Sequence, residues 1–68
     1  MDVSAERLRL RKLIEHWAEH NEEHKKRFNE SASEAAKIGL EEVSHSLFKA
    51  AELAEEVSEH LRSALKGF

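Results

Sequence analysis

The sequence predicts an all-α protein, an antiparallel helical hairpin that dimerises into a four-helix bundle. Its 68 residues include no proline and only two glycines, and 37% of them are charged while 40% are hydrophobic. That composition is typical of long amphipathic helices. In both halves, apolar side chains also recur at alternating steps of three and four residues. This spacing indicates helices that each bury one stripe against a neighbour.

Gly39 divides the chain into two helices. It follows a helix-forming stretch, and glycine takes the left-handed conformation that ends a helix without a steric penalty. We predict helices over residues 5–37 and 40–66, within a single domain that spans residues 1–68. Because the turn is so short, the two helices must run antiparallel.

Residues that commonly cap helices occur at the ends of the predicted helices and also at one place within the first helix. Ser4 is a good N-cap for the first helix, and we expect Gly67 to close the second as Gly39 closes the first. The stretch from Ser31 to Glu34 could be a capping box that starts a new helix, or an ordinary part of a continuous one. We favour continuity, because the apolar spacing runs through this stretch in register.

The two predicted stripes define which residues face each other. The first consists of Leu10, Ile14, Trp17, Asn21, His24, Phe28, Ser31, Ala35 and Ile38, and the second of Leu40, Val43, Leu47, Ala50, Ala54, Val57, Leu61, Ala64 and Phe68. Antiparallel pairing about Gly39 makes the numbers of facing residues sum to about 78, which sets Trp17 beside Leu61. We predict Trp17 to be the main core anchor, since an indole buries a large area.

The second helix is apolar over more than one stripe, and this predicts a homodimer. Phe48, Ala51, Leu53 and Leu65 lie beside the stripe, and one partner helix cannot cover that width. A chain of this length buries little of its surface and needs a disulfide, a metal or a partner for stability. No cysteine is present. We therefore expect two hairpins to associate, with the orientation of the two copies left open.

Three histidines, His16, His20 and His24, recur every four residues on the first helix. Residues four apart stand about 6 Å apart along the axis, so neighbouring histidines can hold one ion. His16 and His24 are about 12 Å apart and cannot share a metal whose bonds are about 2.1 Å. Further candidate ligands are Glu19, Glu23 and His60. Imidazole and carboxylate ligands suit zinc, nickel, copper or cobalt, and the spacing does not choose among them.

A structural interpretation of the histidines is the alternative. His24 shares the predicted stripe with Asn21, so the two could form a buried polar pair that fixes the register of the bundle. The other histidines would then be surface residues, because pairs four residues apart also arise by chance.

Several classes of function are not predicted. The string His16-x-x-Glu19-His20 matches an inverted zinc-peptidase signature, but a peptidase needs a third ligand and a substrate cleft, so we predict no enzyme. The net charge is −3, and the basic clusters are interleaved with glutamate, which argues against nucleic acid. No apolar run approaches the roughly 20 residues of a membrane span, and no secretory signal is visible. We expect a cytoplasmic protein with no membrane contact.

Three stretches of the chain carry a family resemblance: LIEHWAEHNEEHKKRF, AAKIGLEEV and AAELAEEVSEHLRSAL. They resemble a small helical domain of unknown function from archaea and anaerobic bacteria, which is sometimes appended to nickel-binding accessory proteins of the carbon monoxide dehydrogenase type. The matching positions are His16, Trp17, Glu19, His20, Asn21 and His24. The resemblance implies a helical accessory domain connected with metal handling, with nickel as the expected metal.

The residues and the resemblance together predict a non-enzymatic accessory domain that self-associates and binds nickel or zinc through the histidines of the first helix. The alternative is a structural module for oligomerisation or protein interaction that holds no metal. The expected partner is a second copy of the chain, or in the alternative another protein.

Overall fold

The computed structural model describes residues 3–68, which form two α-helices packed side by side. The first, α1, spans Val3–Lys37 and the second, α2, spans Glu41–Lys66. The hairpin is a rod of 58 × 14 × 13 Å, so the helices lie alongside each other for most of their length. The predicted all-α hairpin is confirmed, with α1 starting two residues earlier than expected and α2 one residue later.

Gly39 closes α1 through a Schellman motif. The Gly39 N–H donates to the Ala36 carbonyl at 3.2 Å, and the Leu40 N–H donates to the Ala35 carbonyl at 2.9 Å. These two bonds satisfy carbonyls that have no partner within the helix. Gly39 takes a φ of 84°, the left-handed conformation predicted for it. The Leu40 carbonyl then accepts a bond from the Ser44 N–H at 2.9 Å, which begins α2.

Of the predicted caps at the two outer ends of the hairpin, Ser4 is wrong, and Gly67 caps α2 but without the left-handed conformation expected for it. Ser4 lies inside α1, which is already helical at Val3, and so it is not the N-cap. Gly67 has a φ of −77°, in the right-handed region, and its N–H donates to the Ala64 carbonyl at 3.0 Å. The last turn of α2 therefore ends in a tighter turn with an i to i−3 hydrogen bond, and Gly67 does not adopt the left-handed conformation. α1 itself is continuous through Ser31, as favoured from the sequence.

The two helices meet along a narrow seam of small side chains. Its buried members are Ile14, Ala32, Ala35, Ala51 and Ala54, together with Ser44 and Ser58. Because alanine and serine are small, the two backbones can approach closely, and little room remains between them for large side chains. Ile14 is the one large hydrophobic residue that is buried within residues 3–68.

On each helix, the buried seam is displaced around the helix axis from the predicted stripe, toward the residues that follow the predicted positions by one. We call this displacement the rotation of the seam. Eight of the eighteen predicted positions are buried or partly buried at the seam: Ile14, Asn21, Phe28 and Ala35 on α1, and Leu47, Ala50, Ala54 and Leu61 on α2. The other ten are exposed, and at six of them the next residue along the chain is buried or partly buried instead: Ala18, Lys25 and Ala32 on α1, and Ser44, Ser58 and Leu65 on α2. Trp17, the predicted core anchor, is 48% exposed and lies outside the buried seam between α1 and α2.

Candidate functional site

Asn21 lies at the middle of the seam and ties α1 to α2. Its Nδ2 donates to the Ala54 carbonyl and to Ser58 Oγ, both at 2.7 Å. Ser58 is 1% exposed, and its hydroxyl donates in turn to Glu22 at 2.5 Å. Asn21 and Ser58 lie opposite each other across the seam, in agreement with the predicted antiparallel register. The predicted buried pair of Asn21 with His24 is not formed, because the partners of Asn21 are on α2 and His24 is exposed.

One side of the seam carries a network of four charged side chains, which are Glu22, Lys25, Glu55 and Arg62. Lys25 Nζ lies 2.5 Å from Glu55 and 3.0 Å from Glu22. Arg62 approaches the same two carboxylates, Glu55 at 3.2 Å and Glu22 at 3.8 Å. The network joins the two helices, but its partial exposure to water limits what each ion pair contributes.

The same network shifts three pKa values. The hydrogen bond from Ser58, and then that from Lys25, holds the pKa of Glu22 below its ordinary value. Lys25 and then Arg62 lower the pKa of Glu55 in the same way. The hydrogen bonds to Glu55 and Glu22 raise the pKa of Lys25. All three shifts favour the charged forms, so the network is most complete near neutral pH.

The other side of the seam is apolar and open to solvent. We call it the Trp17 face, and define it as Leu10, Leu13, Trp17, Val43 and Val57, which are each 42–48% exposed. Trp17 and Lys25 lie four residues before and four after Asn21, and therefore project to opposite sides of it. The apolar face and the charged network thus flank the seam on opposite sides.

An open groove runs along the Trp17 face between the two helices. It is lined by Trp17, His20, Asn21, His24, Val57 and Leu61. Trp17 and Leu61, which the sequence predicts to be neighbours, therefore lie at the same groove. Two histidines of the ladder also reach this apolar surface.

The three histidines form a ladder of rings along α1. The ring centroids are 5.9 Å apart for His16 and His20, and 4.6 Å apart for His20 and His24. Phe28 continues the ladder at 6.0 Å from His24. Two imidazoles that bind one tetrahedral ion with bonds of about 2.1 Å have centroids about 5 Å apart. Each neighbouring pair of histidines lies within about 1 Å of that spacing.

The other predicted ligands are Glu19, Glu23 and His60. Glu19 and Glu23 share an open depression with His16 and His20, whereas His60 is exposed on α2. In the part of the chain that the structure describes, no three histidine, aspartate or glutamate side chains are grouped closely enough to hold a metal ion. One chain therefore supplies pairs of neighbouring ligands along the ladder rather than a set of three.

The fold and the surface define a class of small helical hairpins, joined by charged side chains on one side and carrying an apolar groove with histidines on the other. The chain belongs to a family described as "Domain of unknown function (DUF8180)", whose family model matches residues 10–68. It is also similar to an uncharacterized protein from Archaeoglobus fulgidus, with 40% identity over 57 residues that cover 84% of this chain and 90% of that protein. No solved structure matches the chain.

The family match confirms the predicted resemblance as far as a helical domain of unknown function with a relative in an archaeon. The association with nickel accessory proteins and the occurrence in bacteria stay predictions, as do the lack of enzymatic activity and the cytoplasmic location. Over residues 3–68, neither helix is long and apolar enough to cross a membrane.

Proposed function

We propose that the chain is a non-enzymatic helical module that self-associates through the Trp17 face, so that two hairpins form an antiparallel four-helix bundle. The surface area carries this proposal. A compact monomer of 7.8 kDa exposes about 4,400 Å², whereas the hairpin exposes 5468 Å². The excess of about 1,000 Å² matches what each partner buries in a standard interface, about 800 Å².

The shape of the hairpin supports the same proposal. Its radius of gyration is 16.2 Å, against about 11 Å for a compact domain of the same length. Two helices alone enclose only one row of side chains, and here that row is mostly alanine and serine. A second hairpin packed on the first would convert the exposed stripes into an enclosed core.

The Trp17 face is better suited to this contact than the opposite side. Its five defining residues are all apolar, so burying them gains the hydrophobic contribution. The opposite side contains the network of Lys25 and its partners, and covering those ions would cost desolvation energy. The rotated seam fits this arrangement, since each helix of a bundle contacts two neighbours and keeps its largest apolar side chains for the centre.

Fluorescence of Trp17 tests the proposal, because it is the only tryptophan in the chain. In the bundle its indole is buried, so we expect blue-shifted emission at high concentration and a red shift on dilution. Leu13→Lys places a charge on the face and should give red-shifted emission at every concentration. Leu8→Lys is the matched control, since Leu8 lies with Arg7, Arg11 and Phe68 at a separate depression. Emission that is independent of concentration and equal in both variants would contradict the proposal.

Metal binding through the histidines of α1 is a second candidate function, with nickel or zinc as the ion. The 4.6 Å spacing of the His20 and His24 rings favours it, and the resemblance named above agrees with it. Ligand linkage predicts about 2.7 kcal/mol of stabilisation at a hundredfold excess of metal over its Kd. A melting temperature unchanged by Ni²⁺ and Zn²⁺ would leave the structural module, without metal, as the function.

A further inference from the structure

We infer that the metal site is completed only between two copies of the chain, with His20 and His24 of each copy holding one shared transition-metal ion. This inference rests on the self-association and metal binding proposed above. It adds the ligand pair, the stoichiometry and the way in which the two copies pack.

The groove selects His20 and His24 as the ligand pair. Both histidines line the groove together with Trp17 and Val57. His16 instead lines a depression whose other members are His20 and three glutamates, and it lies outside the groove. An ion held by His20 and His24 therefore lies on the surface that the second copy covers, while an ion held by His16 would face the solvent.

The number of ligands requires a second donor set. A closed zinc site takes four protein ligands, and His20 with His24 supplies two. The next ring along the ladder is Phe28, which cannot bind a metal, and His16 is about 12 Å along the axis from His24. An identical pair from a second copy brings the total to four imidazoles, a set that suits zinc, nickel, copper or cobalt.

The length of α1 explains how the two pairs meet. His20 is the central residue of the 35-residue helix Val3–Lys37. Two copies of α1 that pack antiparallel and cross at Glu22, two residues from full overlap, bring the two ligand pairs opposite each other across the twofold axis. His20 and His24 of each copy are then each about 3 Å from that axis along the helix, well within one turn of it. The same packing lays Leu13 and Trp17 of each copy along the partner.

Sedimentation velocity of the full chain, with Zn²⁺ or Ni²⁺ alone or with EDTA, tests the inference together with a calorimetric titration of the same ions. We expect one ion per two chains, and a dimer dissociation constant about 100-fold lower when the metal is at a hundred times its Kd. His20→Ala and His24→Ala should each lose the metal effect. They should still form the dimer in EDTA and keep their helical circular dichroism. His16→Ala, outside the groove, and His45→Ala, at an exposed position of α2, are controls that should behave as the wild type.

The possible outcomes separate this inference from the proposals on which it rests. A dimer in EDTA that binds no metal would overturn the shared site and leave the self-association standing. One ion per chain, or an equal loss in His16→Ala and His24→Ala, would overturn it in favour of a site centred on His16 and His20. A chain that is monomeric with and without metal would overturn both the shared site and the self-association.

Discussion

Asn21 and Ser58 are joined by a hydrogen bond of 2.7 Å at the centre of the seam, and through it α1 and α2 are fixed in register. The bond is protected from water, because Ser58 is 1% exposed. We expect Asn21→Ala to lower the free energy of unfolding by about 1–3 kcal/mol, since it leaves a buried hydroxyl without its donor. Urea denaturation at fixed protein concentration measures the change. Asn29→Ala, at an exposed position of the same helix, should change it little, and equal losses in both variants would refute this role for Asn21.

Acid should weaken the hairpin through Glu22 and Glu55. Their pKa values are lower in the folded chain than the ordinary value of about 4.3. Their stabilisation is therefore fully present above that value and is lost as the pH falls through the lower, folded pKa. We expect the melting temperature, followed by circular dichroism, to fall below about pH 4.

A double variant, Glu22→Gln with Glu55→Gln, should melt at a lower temperature at pH 7 and lose less on acidification. Glu59→Gln, at an exposed position of α2, should keep the acid dependence of the wild type. At high pH, Lys25 has the corresponding effect. Its pKa is raised in the folded chain, so its contribution to stability is fully present below about pH 10.4 and is lost as the pH rises through the higher folded pKa. An acid profile that is identical in the double variant and the wild type would exclude these carboxylates as its cause.

Gly39→Ala should destabilise the turn through its backbone alone. Gly39 has a φ of 84°, and a Cβ added there meets nothing within 4 Å, so no steric clash contributes. The expected loss is about 1 kcal/mol, the cost of the left-handed conformation for an L-residue, measured by chemical denaturation. Gly67→Ala is the control for the backbone effect, because its φ of −77° suits any residue, while its Cβ would lie 3.3 Å from the Ala64 carbonyl oxygen. A loss in Gly67→Ala as large as that in Gly39→Ala would contradict the assignment.

Close packing of the seam predicts that a larger side chain will not fit at Ala32. This residue is 0% exposed, so Ala32→Leu should force the helices apart and cost about 1–3 kcal/mol. Ala36→Leu, four residues further along the same helix and exposed, adds the same atoms to solvent and should cost little. Denaturation midpoints of the two variants compare them, and an unchanged midpoint in Ala32→Leu would mean that the seam is looser than described.

The helices and their turn could be predicted from local rules, because the end of α1 needs a left-handed residue and Gly39 supplies it. The rotation of the seam could not be predicted from the sequence. Two neighbouring stripes share the same seven-residue repeat, one with Trp17 and Val57 and the other with Ala18 and Ser58, and periodicity does not say which one faces the other helix. The hydrogen bonds of Asn21 and the small size of the buried residues decide it, and both depend on the packing of α1 against α2.

Like the fold, the candidate site could be predicted only in part from the sequence. The spacing of His16, His20 and His24 predicts the ladder, since it depends only on helix geometry. A complete ligand set was not predictable, because it depends on which surface lies against which. The exposed position of His60 and the facing of His20 and His24 into the groove are consequences of the seam rotation, which the sequence pattern left open.

Sedimentation equilibrium of the wild-type chain at micromolar concentration, in EDTA, tests whether a second copy of the chain covers the Trp17 face. We expect the wild-type chain to sediment with twice the chain mass of 7.8 kDa, and Leu13→Lys to sediment with the mass of one chain. A helical wild-type chain that sediments with the mass of one copy would contradict it.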